Sequence, residues 1–189
     1  MQKFKELIVP AIALFVICLV SAFLLAGTNK LTEEKIKENL IQQKKDTQAL
    51  VFPNAFFMES GEITLENGKT VEYASANDGA GRKLGYVFTS VSKGYGGDVT
   101  VMTAISVEGN VIKSVVLSMD DETPGLGQNA GKPDFLKQFE NKSGPFSWVK
   151  AGGSDNEITG VTSATFTSKA VIECVNDSLQ AFSMLGGKG

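Results

Sequence analysis

The sequence predicts an α+β fold: a mostly antiparallel sheet with packed helices, preceded by one N-terminal transmembrane helix. Three observations carry this reading. Residues 7–26, LIVPAIALFVICLVSAFLLA, run for twenty residues without a charge, and a helix of that length spans about 30 Å, the hydrocarbon thickness of a bilayer. From about residue 52 to 118 the hydrophobic period changes to two, with Asn67-Gly68 set between alternating runs, the strongest short-range hairpin signal. The last stretch returns to a helical period, with Val171, Val175, Leu179 and Phe182 on one face.

The apolar run reads as a retained anchor. A signal-peptide core is shorter and ends in a small-x-small cleavage site, whereas here Leu24 interrupts the small residues just before Ala26. Pro10 falls in the first turns, where a missing N–H costs little. Lys3 and Lys5 precede the run and Lys30, Lys35 and Lys37 follow it, so the distribution of positive charge leaves the topology open. After the run, Thr32 with Glu34 and Lys35 suggests a fresh helix start, and Leu31, Ile36, Leu40 and Ile41 make an apolar stripe. The organisation expected is residues 1–30 as tail and transmembrane helix, 31–51 as helical stalk, and 52–189 as a globular domain.

Within the domain, EITLENGKTVEYASA gives two strands about the Asn67-Gly68 turn. KLGYVFTSVS and DVTVMTAISV are two more β-rich runs, and EGN turns the chain into VIKSVVLS. PDFLKQFEN reads as a short helix, and TSKAVIECVNDSLQAFSML as the final one.

Composition excludes several chemistries. The 189 residues carry a net charge of −3 and no histidine, which gives no electrostatic reason for a nucleic-acid partner and removes the commonest acid/base group and metal ligand. Two cysteines, Cys18 and Cys174, are too few and too far apart for a zinc site, an iron–sulfur cluster or a disulfide framework. No metal site is expected. Redox chemistry in this chain would need an organic cofactor.

Three segments stand out. KGYGGDV, residues 93–99, places three glycines around Tyr95, which suits either a hairpin loop with left-handed backbone or the close approach of another surface. MDDETPGLGQ follows the last strand. Its Pro124-Gly125 step forms a turn, and Leu126 between two glycines is suited to packing on a flat apolar ligand. Glu122 reads either as a charge that tunes a bound group or as a solvated loop terminator, and Tyr95 either as a ligand contact or as core. TGVTSATFTSKAV, residues 159–171, clusters six hydroxyl side chains before the final helix. A helix N-terminus is an anion site suited to phosphate, and Gly160 lets the backbone approach closely; alternatively Thr165, Thr167 or Ser168 simply caps the helix.

Together, GYGG, ETPGLG and TGVTSATFTS in this order behind one anchor resemble the FMN-binding domain of the Rnf G subunit, shared with the C subunit of the sodium-pumping NADH:quinone reductase. The resemblance covers residues 1 to about 185. In that family a threonine in a motif close to D-G-x-[ST]-G-A-T is esterified to the FMN phosphate by a flavin transferase. Here the resemblance implies attachment at Thr165, with Thr162 as a minor rival, and with Ala164, Thr162 and Gly160 matching the motif. Thr159 stands where Asp is usual and Ser163 where Gly is usual; the Ser163 departure is mild as long as its backbone avoids positive φ.

The resemblance also implies that Ser163 and the neighbouring hydroxyls hydrogen-bond the phosphodiester, that Lys169 and the helix N-terminus balance its charge, and that Thr123, Gly125, Leu126 and Tyr95 contact the flavin ring. It implies an electron carrier in a membrane complex that couples ferredoxin oxidation and NAD⁺ reduction to Na⁺ or H⁺ translocation. The flavin carries the chemistry and the protein tunes it. The flavin domain would face outward from the cell (inner) membrane, and partners would be the other membrane subunits and the flavin transferase. Two alternatives remain open at this point: an FMN carrier of another extracytoplasmic respiratory system, and a non-redox membrane-anchored binding module.

Overall fold

A computed structural model describes residues 2–186. Contacts divide the chain into two compact units, one up to Gln42 and one from Gln43. The first consists of helix α1, Gln2–Val51, whose last residues belong to the second unit. α1 is long and apolar enough to cross a membrane. It runs unbroken through Thr32, where the sequence suggested a new helix start. The Thr32 hydroxyl donates to the Thr28 carbonyl at 3.0 Å, bonding back into the turn behind it and so leaving no cap for a new helix.

The second unit is built on a five-stranded antiparallel sheet in the order β1-β2-β3-β4-β5. The strands are β1 (Phe56–Thr64), β2 (Thr70–Asn77), β3 (Lys83–Lys93), β4 (Asp98–Ser106) and β5 (Val111–Ser118). Each follows its neighbour by a hairpin, as the alternating pattern predicts. At the first turn Gly68 takes φ +81° and donates its N–H to the Leu65 carbonyl at 2.9 Å, and the Asn67 side chain accepts the Lys69 N–H at 3.0 Å. This is a three-residue hairpin loop with glycine in the left-handed position rather than the two-residue turn that Asn-Gly signals. β1 begins earlier than its alternation suggests, and a bulge between Phe57 and Ser60 explains the broken period.

The remaining elements are α2 (Pro133–Leu136), the short parallel pair β6 (Ser147–Val149) and β7 (Glu157–Thr159), and α3 (Thr165–Met184). The expected helix at 133–141 is only one α turn followed by a 3₁₀ turn. The β6/β7 pair has three residues per strand, too short to leave a periodic signature.

α3 closes the inner face of the sheet. Val99, Val101 and Val111 pack with Val171, Cys174 and Val175, and Val71, Phe88 and Ile105 pack with Ala181 and Phe182. The Phe88 and Phe182 rings meet edge to face, with centroids 6.4 Å apart. Each fully buried apolar side chain contributes about 1.5–3 kcal/mol, so this face fixes α3 and with it the position of the helix start. Burial pushes the Cys174 thiol pKa up to about 12, which leaves it neutral and unreactive. On the opposite face Phe52 lies against Gly85, where a Cβ would strike both its ring and the Ile105 carbonyl.

One polar tie binds α3 to the first hairpin. Lys69 Nζ donates to Glu173 at 2.7 Å and to Asp177 at 3.0 Å, and Ser92 also donates to Glu173, at 2.7 Å. Asp177 is only 5% exposed, so without Lys69 its charge would be desolvated and unpaired. Lys69→Met should therefore destabilise the domain by about 1–3 kcal/mol, below the value for a fully buried pair because Lys69 keeps some solvent. Denaturant unfolding followed through the single tryptophan, Trp148, measures it.

Candidate functional site

Three loops converge at the end of the sheet where α3 begins, and they meet on one side chain. Glu122, in the loop after β5, is 2% exposed. Its Oε1 accepts the backbone N–H of Tyr95 at 2.7 Å and of Gly96 at 3.0 Å, both in the β3–β4 loop. Its Oε2 accepts the Thr167 hydroxyl of α3 at 2.5 Å. Burial pushes the Glu122 pKa up, but the Thr167 hydroxyl and the N–H groups of Gly96, Tyr95 and Gly97 outweigh it and hold the carboxyl below the usual range. Glu122 is thus an ionised, buried tie, and neither of the roles its position in the sequence suggested includes this one.

The glycines of two motifs follow from that tie. A Cβ at Gly94 would strike Glu122 Oε1, one at Gly96 the Asp121 carbonyl, and one at Gly127 both Glu122 Oε2 and Thr167 Oγ1. The GYGG loop therefore needs glycine for close approach. Gly125 differs: it takes φ +76° after Pro124, and Leu126 N–H returns to the Thr123 carbonyl at 3.2 Å, the signature of a type II turn. That turn carries Leu126, 44% exposed, out into the solvent.

The hydroxyl segment separates into bonded and free side chains. The N-cap of α3 is Ala164, with no side-chain cap bond, so none of the expected hydroxyl caps forms. Ser168 instead donates to the Ala164 carbonyl at 2.8 Å and accepts the Val161 N–H at 2.9 Å, while Thr167 is taken by Glu122. Thr162, Ser163 and Thr165 are exposed, and among the described residues no partner bonds the Thr165 hydroxyl. Thr162 and Ser163 form the turn Val161–Ala164, closed by an N–H···O bond of 3.1 Å, with Ser163 at φ +62°. The backbone here does take the left-handed conformation, so serine in place of glycine carries a strain of about 1 kcal/mol.

These loops wall a cleft of about 510 Å³ lined by Tyr95, Glu122, Thr123, Leu126, Gly127 and residues 163–167. The structure thus brings together Tyr95, Thr123, Leu126, Ser163, Ala164 and Thr165. Gly125, Gly160, Thr162 and Lys169 lie outside the lining. Gly160 packs on the Trp148 indole, where a Cβ would strike Nε1, and Lys169 Nζ stands 5.2 Å from the centre of the Trp148 ring. Phe166 is a lining residue the sequence pattern did not single out. It is 67% exposed, and its ring lies 6.2 Å from that of Tyr95. An apolar residue on the solvent side of an amphipathic helix start was the available signal.

Because the Glu122 pKa is depressed in the folded state, its contribution is full above the ordinary value of 4.5 and is lost as pH falls through the folded value. Glu122→Gln should cost about 1–2 kcal/mol at pH 7, and the gap to wild type should close below pH 4.5 in unfolding curves taken across pH. Ser163→Gly should stabilise the domain by about 1 kcal/mol, read as an increase in denaturation midpoint.

The same arrangement of segments is found in known proteins. Residues 94–180 match the FMN-binding domain family, and residues 1–50 match the RnfG N-terminal region. The chain is 32% identical over 177 residues to the G subunit of the proton-translocating ferredoxin:NAD(+) oxidoreductase complex of Clostridium ljungdahlii, covering 93% of this chain and 91% of that one. It is 35% identical over 187 residues to the G subunit of the Na(+)-translocating ferredoxin:NAD(+) oxidoreductase complex of Acetobacterium woodii, covering 91% and 89%. Among solved structures, the fold is similar to that of the C subunit of the Na(+)-translocating NADH-quinone reductase from Parabacteroides distasonis, with a TM-score of 0.59 at 18% identity over 79% of this chain and 94% of that one. The NqrC structure of Shewanella oneidensis gives a TM-score of 0.54 at 20% identity over 66% of this chain and 65% of that one. A chain with an FMN-binding domain behind an RnfG N-terminal region, similar over nine-tenths of its length to these G subunits, belongs to the RnfG family of ion-translocating ferredoxin:NAD(+) oxidoreductase subunits.

Proposed function

We propose that this chain is the membrane-anchored flavin carrier of its complex, with FMN bound as a phosphoester on Thr165. The observation that carries this reading is the convergence of three separate sequence segments on one cleft whose wall presents a free threonine hydroxyl. A volume of about 510 Å³ lies in the range of cofactor pockets. Of the six hydroxyls between 159 and 168, Thr167 and Ser168 are buried and bonded. Thr162 is exposed but outside the cleft. Ser163 and Thr165 both combine exposure, a hydroxyl unbonded among the described residues and a place in the lining, and of the two only Thr165 is a threonine, at the first position of α3.

Thr165 is also the first residue of α3. Its neighbours' N–H groups in the first turn have no intrahelical acceptor, and the positive end of the helix dipole lies there. A phosphodiester at this point would meet a ready anion site. Ser163 and Thr162 offer hydroxyls from the preceding turn, and Gly160 lets β7 lead into it closely. Lys169, one helical turn on, is a cation that would add to the balance on leaving Trp148. Leu126, Tyr95 and Phe166 supply apolar surface for a flat ring, with Thr123 and Gly125 shaping the rim. FMN, when bound, supplies reversible uptake of electrons; the chain binds it, orients it and limits its access to water.

In this reading residues 1–30 anchor the chain, 31–51 form the stalk and 52–189 hold the flavin on the extracytoplasmic side. Electrons pass between this flavin and neighbouring subunits, and a flavin transferase matures the protein. The test is protein co-expressed with that transferase, denatured in SDS and viewed under ultraviolet light. Wild type should fluoresce, Thr165→Ala should lose all signal, and Thr162→Ala should retain it. A dark wild-type band beside a fluorescent control domain would overturn covalent attachment.

A further inference from the structure

The geometry points to a second role for Glu122: held on Thr167, its buried carboxylate is a fixed negative charge beneath the cleft that lowers the midpoint potential of the flavin bound there. This rests on the reading of the cleft as the FMN site.

Three observations carry it. The carboxylate lines the cleft yet is 2% exposed, so water screens it poorly. Its partners are the backbone N–H groups of the β3–β4 loop and the Thr167 hydroxyl, which spread the charge without cancelling it. Among the described residues no lysine or arginine lines the cleft, and Lys169, on the same helix, rests on Trp148. The α3 N-terminus, of which Thr167 is part, supplies an opposing field.

Reduction of FMN takes up two electrons, delivered by a neighbouring redox centre of the complex, and one proton from solvent, so the reduced ring carries one net negative charge. Electrons placed beside an uncompensated carboxylate are disfavoured, so the oxidised form gains. Removing the charge should favour the reduced form by about tenfold, equivalent to about 30 mV for a two-electron couple. Thr167 has the opposite effect: its hydroxyl draws charge away from Oε2, so its loss leaves the carboxylate more negative toward the cleft.

The test is a spectroelectrochemical titration of the full-length flavinylated chain in detergent, comparing wild type with Glu122→Gln and Thr167→Val. The expected result is a potential raised in Glu122→Gln and lowered in Thr167→Val. A purely structural tie would move both in one direction through loosening of the same loops, and that result would overturn the proposal, as would an unmoved Glu122→Gln. If Glu122→Gln fails to fold or to hold flavin, Thr167→Val decides alone, since a potential that is unchanged or raised contradicts the assignment. Flavin held without a covalent bond, released in SDS but present in the native protein, is titrated in the same way. A wild type with no bound flavin at all would overturn both the flavin reading and this role.

Discussion

A buried carboxylate without a cation beside it persists only where hydrogen bonds replace the water it has lost. At Glu122 those bonds come from the β3–β4 loop and from α3, while the residue itself stands in the loop after β5. The three walls of the cleft are therefore fastened to one another through a single side chain. The tie also dictates composition around it: Gly94, Gly96 and Gly127 are glycine because backbone or carboxylate occupies the space of a Cβ. What looks in the sequence like two unrelated glycine-rich loops is one packing constraint met from both sides.

Much of the scaffold was legible because it depends on local periodicity. Asn67-Gly68, the alternation of β2 to β5 and the Val171–Phe182 face each declare their structure within about a dozen residues. The cleft was legible in outline, since its motifs are compositionally unusual. What the pattern did not reveal is long-range or conformational. Thr167 and Glu122 are 45 positions apart, and nothing local tells that the Thr167 hydroxyl is bonded while that of Thr165 is free. The positive φ of Ser163 follows from the turn that β7 and α3 impose. Thr32 shows the converse limit: its surroundings mimic a cap, yet the helix on both sides continues and the hydroxyl bonds backward.

Membership of the RnfG family and the fold of the domain stand on different supports. Family rests on similarity along nearly the whole chain, including the N-terminal region. The solved relatives, at 18% and 20% identity, speak to architecture alone. The two G subunits cited are named for different translocated ions, protons in one and sodium in the other.

α3 has two tasks that are usually kept apart. Its middle and end close the hydrophobic core, and its first residue presents the proposed attachment hydroxyl. A cofactor esterified there has its phosphate end fixed to a core helix, and its only tether is its own ribityl chain. Carriers that move a prosthetic group on a long flexible arm can vary its distance to each partner widely, but a flavin on Thr165 reaches no further than its ribityl chain, and a larger change in tunnelling distance requires the domain or its partners to move.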